Sequence, residues 1–290
     1  MQYHSYTMSH NMTRRQASAT LLAAAAASAQ GSAKVTRYVR FRKGAAIAFG
    51  ILNGDTVSEL KGNLFANPSD SGTKHKLSEV KLLSPIPTPS KILALAGNYR
   101  SHLGKADPRP NPEPFYKPPS CLQNPEDPII YPKDATDLHH ECELVIVIGK
   151  RCSHVTEAQA NDYIFGYTAG NDVSERIWQN DPKVKDVQWW RAKGADTFGP
   201  LGPVIARGLD PGNLKIQCRV NGAVKQEDST SHLVHGPLKI VSFISQYVAM
   251  NPGDIIFTGT PGRTTPMKPG DVCEVEIEGI GILRNKIVAA

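Results

Sequence analysis

Glu141 and Glu143 stand two residues apart in His139-His140-Glu141-Cys142-Glu143, immediately before the apolar run Leu144-Val145-Ile146-Val147-Ile148. Side chains alternate faces along an extended strand, so the two carboxylates project from one side while Cys142 and Leu144 pack on the other. Two acids this close repel, and ionising both is costly without a cation between them, so the spacing points to a divalent metal site. His139 shares that strand face, which leaves a histidine-plus-carboxylate site for iron or zinc in competition with an all-oxygen one. A solvated strand face carrying two scattered acids is the plain alternative. Glu274 and Glu276 repeat the same spacing in Val272-Cys273-Glu274-Val275-Glu276-Ile277 and read as such a solvated face. The chain contains no His-Glu-x-x-His, no Gly-x-Ser-x-Gly and no phosphate-cradling glycine loop.

Five other segments carry polar residues in an ordered series. They are Gly97-Asn98-Tyr99-Arg100-Ser101-His102, Phe115-Tyr116-Lys117-Pro118-Pro119-Ser120, Gly170-Asn171-Asp172-Val173-Ser174-Glu175-Arg176-Ile177-Trp178-Gln179, the stretch from Gln188 through Lys193 to Pro203, and Pro252-Gly253-Asp254-Ile255-Ile256-Phe257-Thr258-Gly259-Thr260-Pro261-Gly262. Together these resemble the fumarylacetoacetate hydrolase family, in its acylpyruvate hydrolase and 2-hydroxyhepta-2,4-diene-1,7-dioate isomerase branch. The resemblance runs over about residues 90 to 287.

The resemblance implies a β-rich α+β fold, a mixed β-sandwich roll like the C-terminal domain of fumarylacetoacetase with a small N-terminal β domain. It also implies a homodimer and an all-carboxylate metal set. Asp172 is the best third ligand beside Glu141 and Glu143, and three carboxylates without a soft partner select Mg²⁺ or Mn²⁺, with Ca²⁺ admissible. His139 and His140 then take outer or packing roles. His102 matches the family's general base, and Lys193 would stabilise a developing enolate. Arg176 and Gln179 would bind substrate oxygens, Thr260 would hold a carboxylate or keto oxygen through its hydroxyl and backbone N–H groups, and Tyr116, Lys117 and Ser120 would complete the pocket.

The implied activity is hydrolytic carbon–carbon cleavage of an acylpyruvate-like β-diketo acid, with a small anionic 2-oxo acid as substrate. One departure matters: three residues after the histidine, where the hydrolase branch commonly has a glutamate, this chain has Lys105. Lysine cannot polarise an imidazole as a carboxylate does. Unless Glu113 or Asp107 substitutes, decarboxylation or keto–enol isomerisation of a 2-oxo acid, of the oxaloacetate or homoprotocatechuate-pathway type, gains ground. A non-catalytic exported ligand-binding relative is the reading from another class.

The 290 residues carry a formal net charge of +6 and 40% hydrophobic residues, and contain no apolar stretch of membrane-spanning length. No basic run with interleaved aromatics speaks for nucleic acid. The first 29 residues read as a twin-arginine export signal, with Arg14-Arg15 before Leu21-Leu22 and an alanine-rich segment cleaved after Ala29. The expectation is a periplasmic or secreted protein, or a cytoplasmic one if the segment is not a working signal. Removing the signal deletes two arginines and no acid, giving +4. Five widely spaced cysteines without a Cys-x-x-Cys pair argue against a disulfide framework or zinc ribbon.

The elements that must position these groups fall into two blocks. Residues 30–86 read as a small β domain, with an Asn53-Gly54 hairpin, a polar turn-rich stretch from Asn63 to Lys76, and a proline linker from Ser84 to Pro89. Residues 87–290 read as the catalytic domain. It is expected to hold a strand from Lys91 to Ala96, a short helix over Thr156 to Asp162 capped by Thr156, a hairpin at Asn221-Gly222, and a longer helix from Pro237 to Met250. The proline-stiffened segment from Gly104 to Pro114 is a candidate lid. Trp178, Trp189 and Trp190 read as core or interface residues.

Overall fold

Short runs that alternate or are wholly apolar, punctuated by glycine and proline, fold as strands throughout the computed structural model, which describes residues 35–290. The expected export signal lies outside the described residues. In chain order the strands are β1 (Thr36–Lys43), β2 (Ala46–Asn53), β3 (Thr56–Lys61), β4 (Ser69–Lys76), β5 (Lys81–Leu83), β6 (Ile92–Leu95), β7 (Pro114–Lys117), β8 (Leu122–Gln123), β9 (Ile129–Tyr131) and β10 (Leu138–His139). They continue with β11 (Cys142–Ile148), β12 (Ile164–Asn171), β13 (Ser174–Glu175), β14 (Gly199–Arg207), β15 (Lys215–Val220), β16 (Ala223–Ser229), β17 (Ile255–Phe257), β18 (Val272–Ile277) and β19 (Gly281–Ala289). Helices are few and short: α1 (Arg100–Leu103), α2 (Arg176–Asn180), α3 (Trp190–Gly194) and α4 (Pro237–Ser245). The fold is therefore β-rich α+β.

Twelve strands share one mixed sheet in the order β4-β3-β2-β1-β14-β12-β11-β17-β6-β7, with β5 added to β1 and β8 to β14. A second sheet runs β16-β15-β18-β19-β9. β11 is buried along its whole length. Its Cys142, Leu144, Ile146 and Ile148 join the core shared with Ile216, Cys218, Val275 and Leu283 of the second sheet. Val145 and Val147 turn the other way, into a cluster with Ile205, Ile255 and Phe257. An apolar run buried on both faces is what a strand in the middle of a layered sheet requires.

The strands of the N-terminal block continue the main sheet, because β1 pairs antiparallel with β14 (Thr36↔Arg207, Tyr38↔Ile205). The Ser84–Pro89 stretch is no free linker, since Ser84, Pro85 and Ile86 are buried. The second half of the polar stretch ending at Lys76 is a strand, β4, paired with β3. It is an edge strand with no apolar face, so no hydrophobic alternation marks it. Asn53 pairs with Thr56, so the first hairpin turns on Gly54-Asp55, one residue later than expected, with φ +60° at Gly54. The second turns on Asn221-Gly222, both at positive φ as a type I′ turn needs.

α4 stops at Ser245, short of Met250, which instead bridges to Cys152. The helix expected from Thr156 is a 3₁₀ turn over Glu157–Tyr163, where Gln159 Oε1 accepts from the Thr156 N–H (3.2 Å) and hydroxyl (2.8 Å). Glu274 and Glu276 pair with Arg219, at 3.0 and 2.6 Å, as a solvated strand face. All five cysteines are buried and unpaired. No helix among the described residues is long and apolar enough to cross a membrane.

Candidate active site

β11 and β12 pair with Cys142 opposite Asn171 and Glu143 opposite Gly170. That register carries Asp172, the residue after β12, to the point where Glu141 precedes β11. The Asp172 N–H donates to the Glu141 carbonyl (2.9 Å), and the Glu141 N–H donates to Asn171 Oδ1 (2.9 Å). Carboxylate oxygens of Glu141, Glu143 and Asp172 lie within 4.8 Å of one another, and all three residues are buried. His139 does not join them. The chain leaves the β10 ladder at His139 and enters β11 only at Cys142, which breaks the two-residue alternation. His139 turns instead to Thr264 Oγ1 (2.8 Å) and Asp137 Oδ1 (3.0 Å), so the histidine-containing metal set is not formed.

Three cations face the three acids. Lys193, on α3, donates to Glu141 Oε2 (2.7 Å) and Asp172 Oδ2 (2.8 Å). Lys117, at the end of β7 and wholly buried, donates to Asp172 Oδ1 (2.6 Å) and to the Lys193 carbonyl. Arg176 Nη2 donates to Glu141 Oε1 (2.5 Å). Burial alone would raise the Glu141 carboxyl, but Lys193 and Arg176 outweigh it and hold it far below the usual range. Burial likewise opposes charge on Lys117, but Asp172 more than compensates and raises it.

Glu143 has no such partner. Its Oε2 accepts the Gly259 N–H (2.6 Å), while its Oε1 is buried without any hydrogen-bond partner. Burial, with the charges of Asp172 and Glu141, pushes its carboxyl well above the ordinary range. A hard divalent cation among the three carboxylates would supply what is missing, a partner for the orphaned oxygen and a charge that offsets the repulsion. The residues present fit that group, and Glu141, Glu143 and Asp172 would hold it.

A chamber of about 240 Å³ opens beside the carboxylates, lined by His102, Phe115, Glu141, Arg176, Gln179, Trp189, Lys193 and Thr260 among others. A vestibule of about 420 Å³ shares His102, Arg176 and Gln179 and adds Arg263 and Thr264. Arg176 and Gln179 reach the chamber because buried Glu175 organises the start of α2. Its carboxylate accepts from the Trp178 N–H (2.6 Å) and from the Thr136 and Asp137 N–H groups (3.0 and 2.8 Å). His102 sits on α1, its Nδ1 2.7 Å from the Gly262 carbonyl. A carbonyl only accepts, so Nδ1 carries the proton and Nε2 is left as the basic nitrogen.

Four expected pocket residues stand elsewhere or act differently. Tyr116 is 55% exposed, because its strand neighbours Phe115 and Lys117 take the inward face. Ser120 lies exposed in a 3₁₀ turn after Pro119 and lines neither chamber nor vestibule. Lys117 lies behind Asp172, a partner of the carboxylate and not a wall of the chamber. Thr260 lines the chamber, but its hydroxyl donates to the Cys142 carbonyl (3.0 Å) and accepts from Gln226 Nε2 (2.9 Å), which leaves it no proton for a substrate oxygen.

The loop from Gly104 to Pro114 lines neither cavity, and an Arg109–Glu113 ion pair (2.5 Å) spans part of it. Glu113 is thereby engaged away from His102, and neither Lys105 nor Asp107 bonds the imidazole among the described residues. Sequence reasoning missed Phe115 and the wall role of Trp189, whose rings meet edge-on at 5.3 Å. It also missed Gln226, whose amide reaches the site from the second sheet. Trp178 is core, as expected, and Trp190 is exposed.

The family model described as Fumarylacetoacetate (FAA) hydrolase C-terminal matches residues 91–288, and one described as Rv2993c-like, N-terminal matches residues 36–85. The solved structure of a 5-carboxymethyl-2-hydroxymuconate delta-isomerase from Mycobacterium smegmatis is similar with a TM-score of 0.82 and 40% identity, over 88% of this chain and 100% of that one. The mitochondrial oxaloacetate tautomerase FAHD2A of Bos taurus is 39% identical over 223 residues, 73% of this chain and 70% of the relative. A maleylpyruvate hydrolase from Sphingobium sp. SYK-6, solved with manganese(II) and pyruvate, has a TM-score of 0.72 at 28% identity, over 88% of this chain and 99% of that one.

Proposed function

The chain belongs to the fumarylacetoacetate hydrolase family, and from that premise we propose that it is a Mg²⁺- or Mn²⁺-dependent keto–enol tautomerase or isomerase of a small 2-oxo dicarboxylic acid. The observation that carries this reading is the state of His102. Its Nδ1 is held by the Gly262 carbonyl, no carboxylate among the described residues hydrogen-bonds it, and the ring lines the chamber beside the metal acids. An imidazole so placed moves a proton well but lacks the hydrogen-bonded carboxylate that helps activate water. The tautomerase and isomerase among the similar proteins bear names of this reaction class.

The charges agree with the substrate class. Glu141, Glu143 and Asp172 balance Lys117, Lys193 and Arg176, so a divalent cation leaves the site with a net charge of about +2, suited to a dianion. Bound there, the cation supplies Lewis acidity toward a 2-oxo group. Arg176 and Gln179 orient a substrate carboxylate. Two of the three Lys193 ammonium protons are committed to Glu141 and Asp172, and the third remains for the charge that develops on the carbonyl oxygen. His102 Nε2 takes the proton from the carbon next to that carbonyl and returns it at the other end of the enol system.

A second reading, hydrolytic carbon–carbon cleavage of an acylpyruvate-like β-diketo acid, is favoured by the likeness to the manganese-bound maleylpyruvate hydrolase. One assay separates the two. With Mn²⁺, enol absorbance of oxaloacetate and of acetylpyruvate is followed while products are resolved by chromatography. Accelerated enol–keto exchange with the carbon skeleton intact is the expected result. Stoichiometric release of two acids from acetylpyruvate establishes the hydrolase instead, and no acceleration on either substrate overturns both.

A further inference from the structure

His139 and His140 stand beside the metal carboxylates without joining them, and each engages one of two consecutive threonines on the loop after β17. His139 Nδ1 lies 2.8 Å from Thr264 Oγ1, and its Nε2 lies 3.0 Å from Asp137 Oδ1. His140 Nδ1 lies 2.9 Å from Gln226 Oε1, and its Nε2 lies 3.0 Å from Thr265 Oγ1. Thr264 Oγ1 is also 2.8 Å from Arg176 Nη2.

Counting donors and acceptors places every proton along the His139 branch. A guanidinium only donates, so Thr264 Oγ1 accepts from Arg176. The Asp137 carboxylate beside Nε2 likewise only accepts, so in the neutral ring Nδ1 is the bare nitrogen and takes the Thr264 hydroxyl proton. The ring carries its proton on Nε2 and donates it to Asp137. The result is a one-way chain from cation to anion, Arg176 to Thr264 to His139 to Asp137, in which each bond polarises the next.

The His140 branch runs the opposite tautomer. Gln226 Nε2 donates to Thr260 Oγ1 and to the Pro261 carbonyl, so its Oε1 faces His140 and accepts the Nδ1 proton. The His140 Nε2 then accepts from the Thr265 hydroxyl and from its N–H at 3.3 Å. Two adjacent histidines in opposite tautomers thus fasten the 260–265 loop to the segment that carries Glu141.

For Arg176 the outcome is a fixed plane. Nη2 gives its two protons to Glu141 and Thr264, and Nη1 gives one to Gln179 at 2.6 Å. Among the described residues, one Nη1 proton and the Nε proton stay uncommitted, on a side chain that lines both chamber and vestibule. We propose that Asp137, His139 and Thr264 are positioning residues for substrate binding, which fix the Arg176 guanidinium so that its uncommitted N–H groups meet the carboxylate of the incoming acid. The inference rests on the reading, given above, that Arg176 contacts substrate.

The test uses the full chain with Mn²⁺ and two readouts, the calorimetric dissociation constant of oxalate, a non-reacting dianion, and the KM and kcat of tautomerisation. Thr264→Val is expected to weaken oxalate binding and raise KM about tenfold, the size of one lost hydrogen bond to a charged group. kcat should stay within about threefold, because neither His102 nor Lys193 is hydrogen-bonded to Thr264 or His139 among the described residues. Thr264→Ser, which keeps the hydroxyl, should restore wild-type affinity. The relay is overturned if Thr264→Val binds oxalate as tightly as wild type while Arg176→Met does not, or if Thr264→Ser is as weak as Thr264→Val. Wild-type oxalate affinity in Arg176→Met itself removes the premise and the relay together.

Discussion

Among the three site acids, Glu143 is the one whose surroundings oppose its charge. Glu141 and Asp172 each have both oxygens occupied by lysine or arginine, whereas Glu143 has a single backbone N–H and one bare oxygen. Its carboxyl is therefore raised by burial and by its two acidic neighbours, and only an added cation reverses that. Glu143→Gln separates the two states. The amide keeps the Gly259 bond through its oxygen and turns its donors toward Glu141 and Asp172, so the metal-free variant should be as stable as wild type or more stable by about 1–2 kcal/mol. Wild type should gain about 2.7 kcal/mol when Mn²⁺ is present at a hundred times its dissociation constant. The variant should show no such gain. Thermal melts with Mn²⁺ and with EDTA read both effects, and a metal-dependent rise in Tm retained by Glu143→Gln would remove Glu143 from the ligand set.

A four-residue helix cannot hold itself in place, so α1, which carries His102, depends on the side chains around it. Ser101 Oγ donates to Asp228 Oδ2 (2.8 Å) and accepts the Gly262 N–H (3.0 Å), fastening α1 to β16 and to the loop that also receives His102. Burial would raise Asp228, but hydrogen bonds from His232, the Ser229 N–H and Ser101 together hold it below the ordinary range. A carboxylate depressed in the folded state stabilises fully above its unfolded pKa of about 3.9, and that contribution is lost as pH falls through the lower folded value. Asp228→Asn should therefore melt below wild type at pH 6, with the gap closing under about pH 4; an equal gap at both pH values would deny Asp228 this role. The same elements explain what the sequence could and could not reveal. Three buried acids are costly, so their types and spacing announced a site, and the apolar run of β11 announced the strand that positions them. Tyr116 could not be separated from Phe115 and Lys117, because a lysine on the buried face inverts the usual strand pattern. Thr260 could not be recognised as a spent hydroxyl, because the partner that uses it, Gln226, arrives from another sheet. β4 was invisible because both its faces are polar.

Family descriptions divide this chain between residues 85 and 91, but the hydrogen-bonded sheet does not. β1 lies against β14, and Val39, Phe41 and Val57 sit in one core with Val204 and Ala206. On the opposite face Leu60, with Tyr38, Phe49 and Ile51 packed around it, joins Phe165, Leu201 and Ile205. Val39, Phe41, Val57 and Leu60 alone represent about 1.5–3 kcal/mol of burial each, a sum comparable with the roughly 5–15 kcal/mol that keeps a domain folded. A fragment of residues 87–290 keeps every proposed ligand and His102, but opens the Ile205–Arg207 side of β14 as an unpaired edge and uncovers both apolar faces beside it. Such an edge pairs with other copies. The fragment should form larger species than a chain of residues 35–290 and melt without a cooperative transition, while the longer chain melts cooperatively. Analytical ultracentrifugation and calorimetry on the two chains decide the matter. An 87–290 fragment with the oligomeric state and the Tm of the longer chain would mean that the N-terminal strands are an attachment after all, and that the site's scaffold is complete without them.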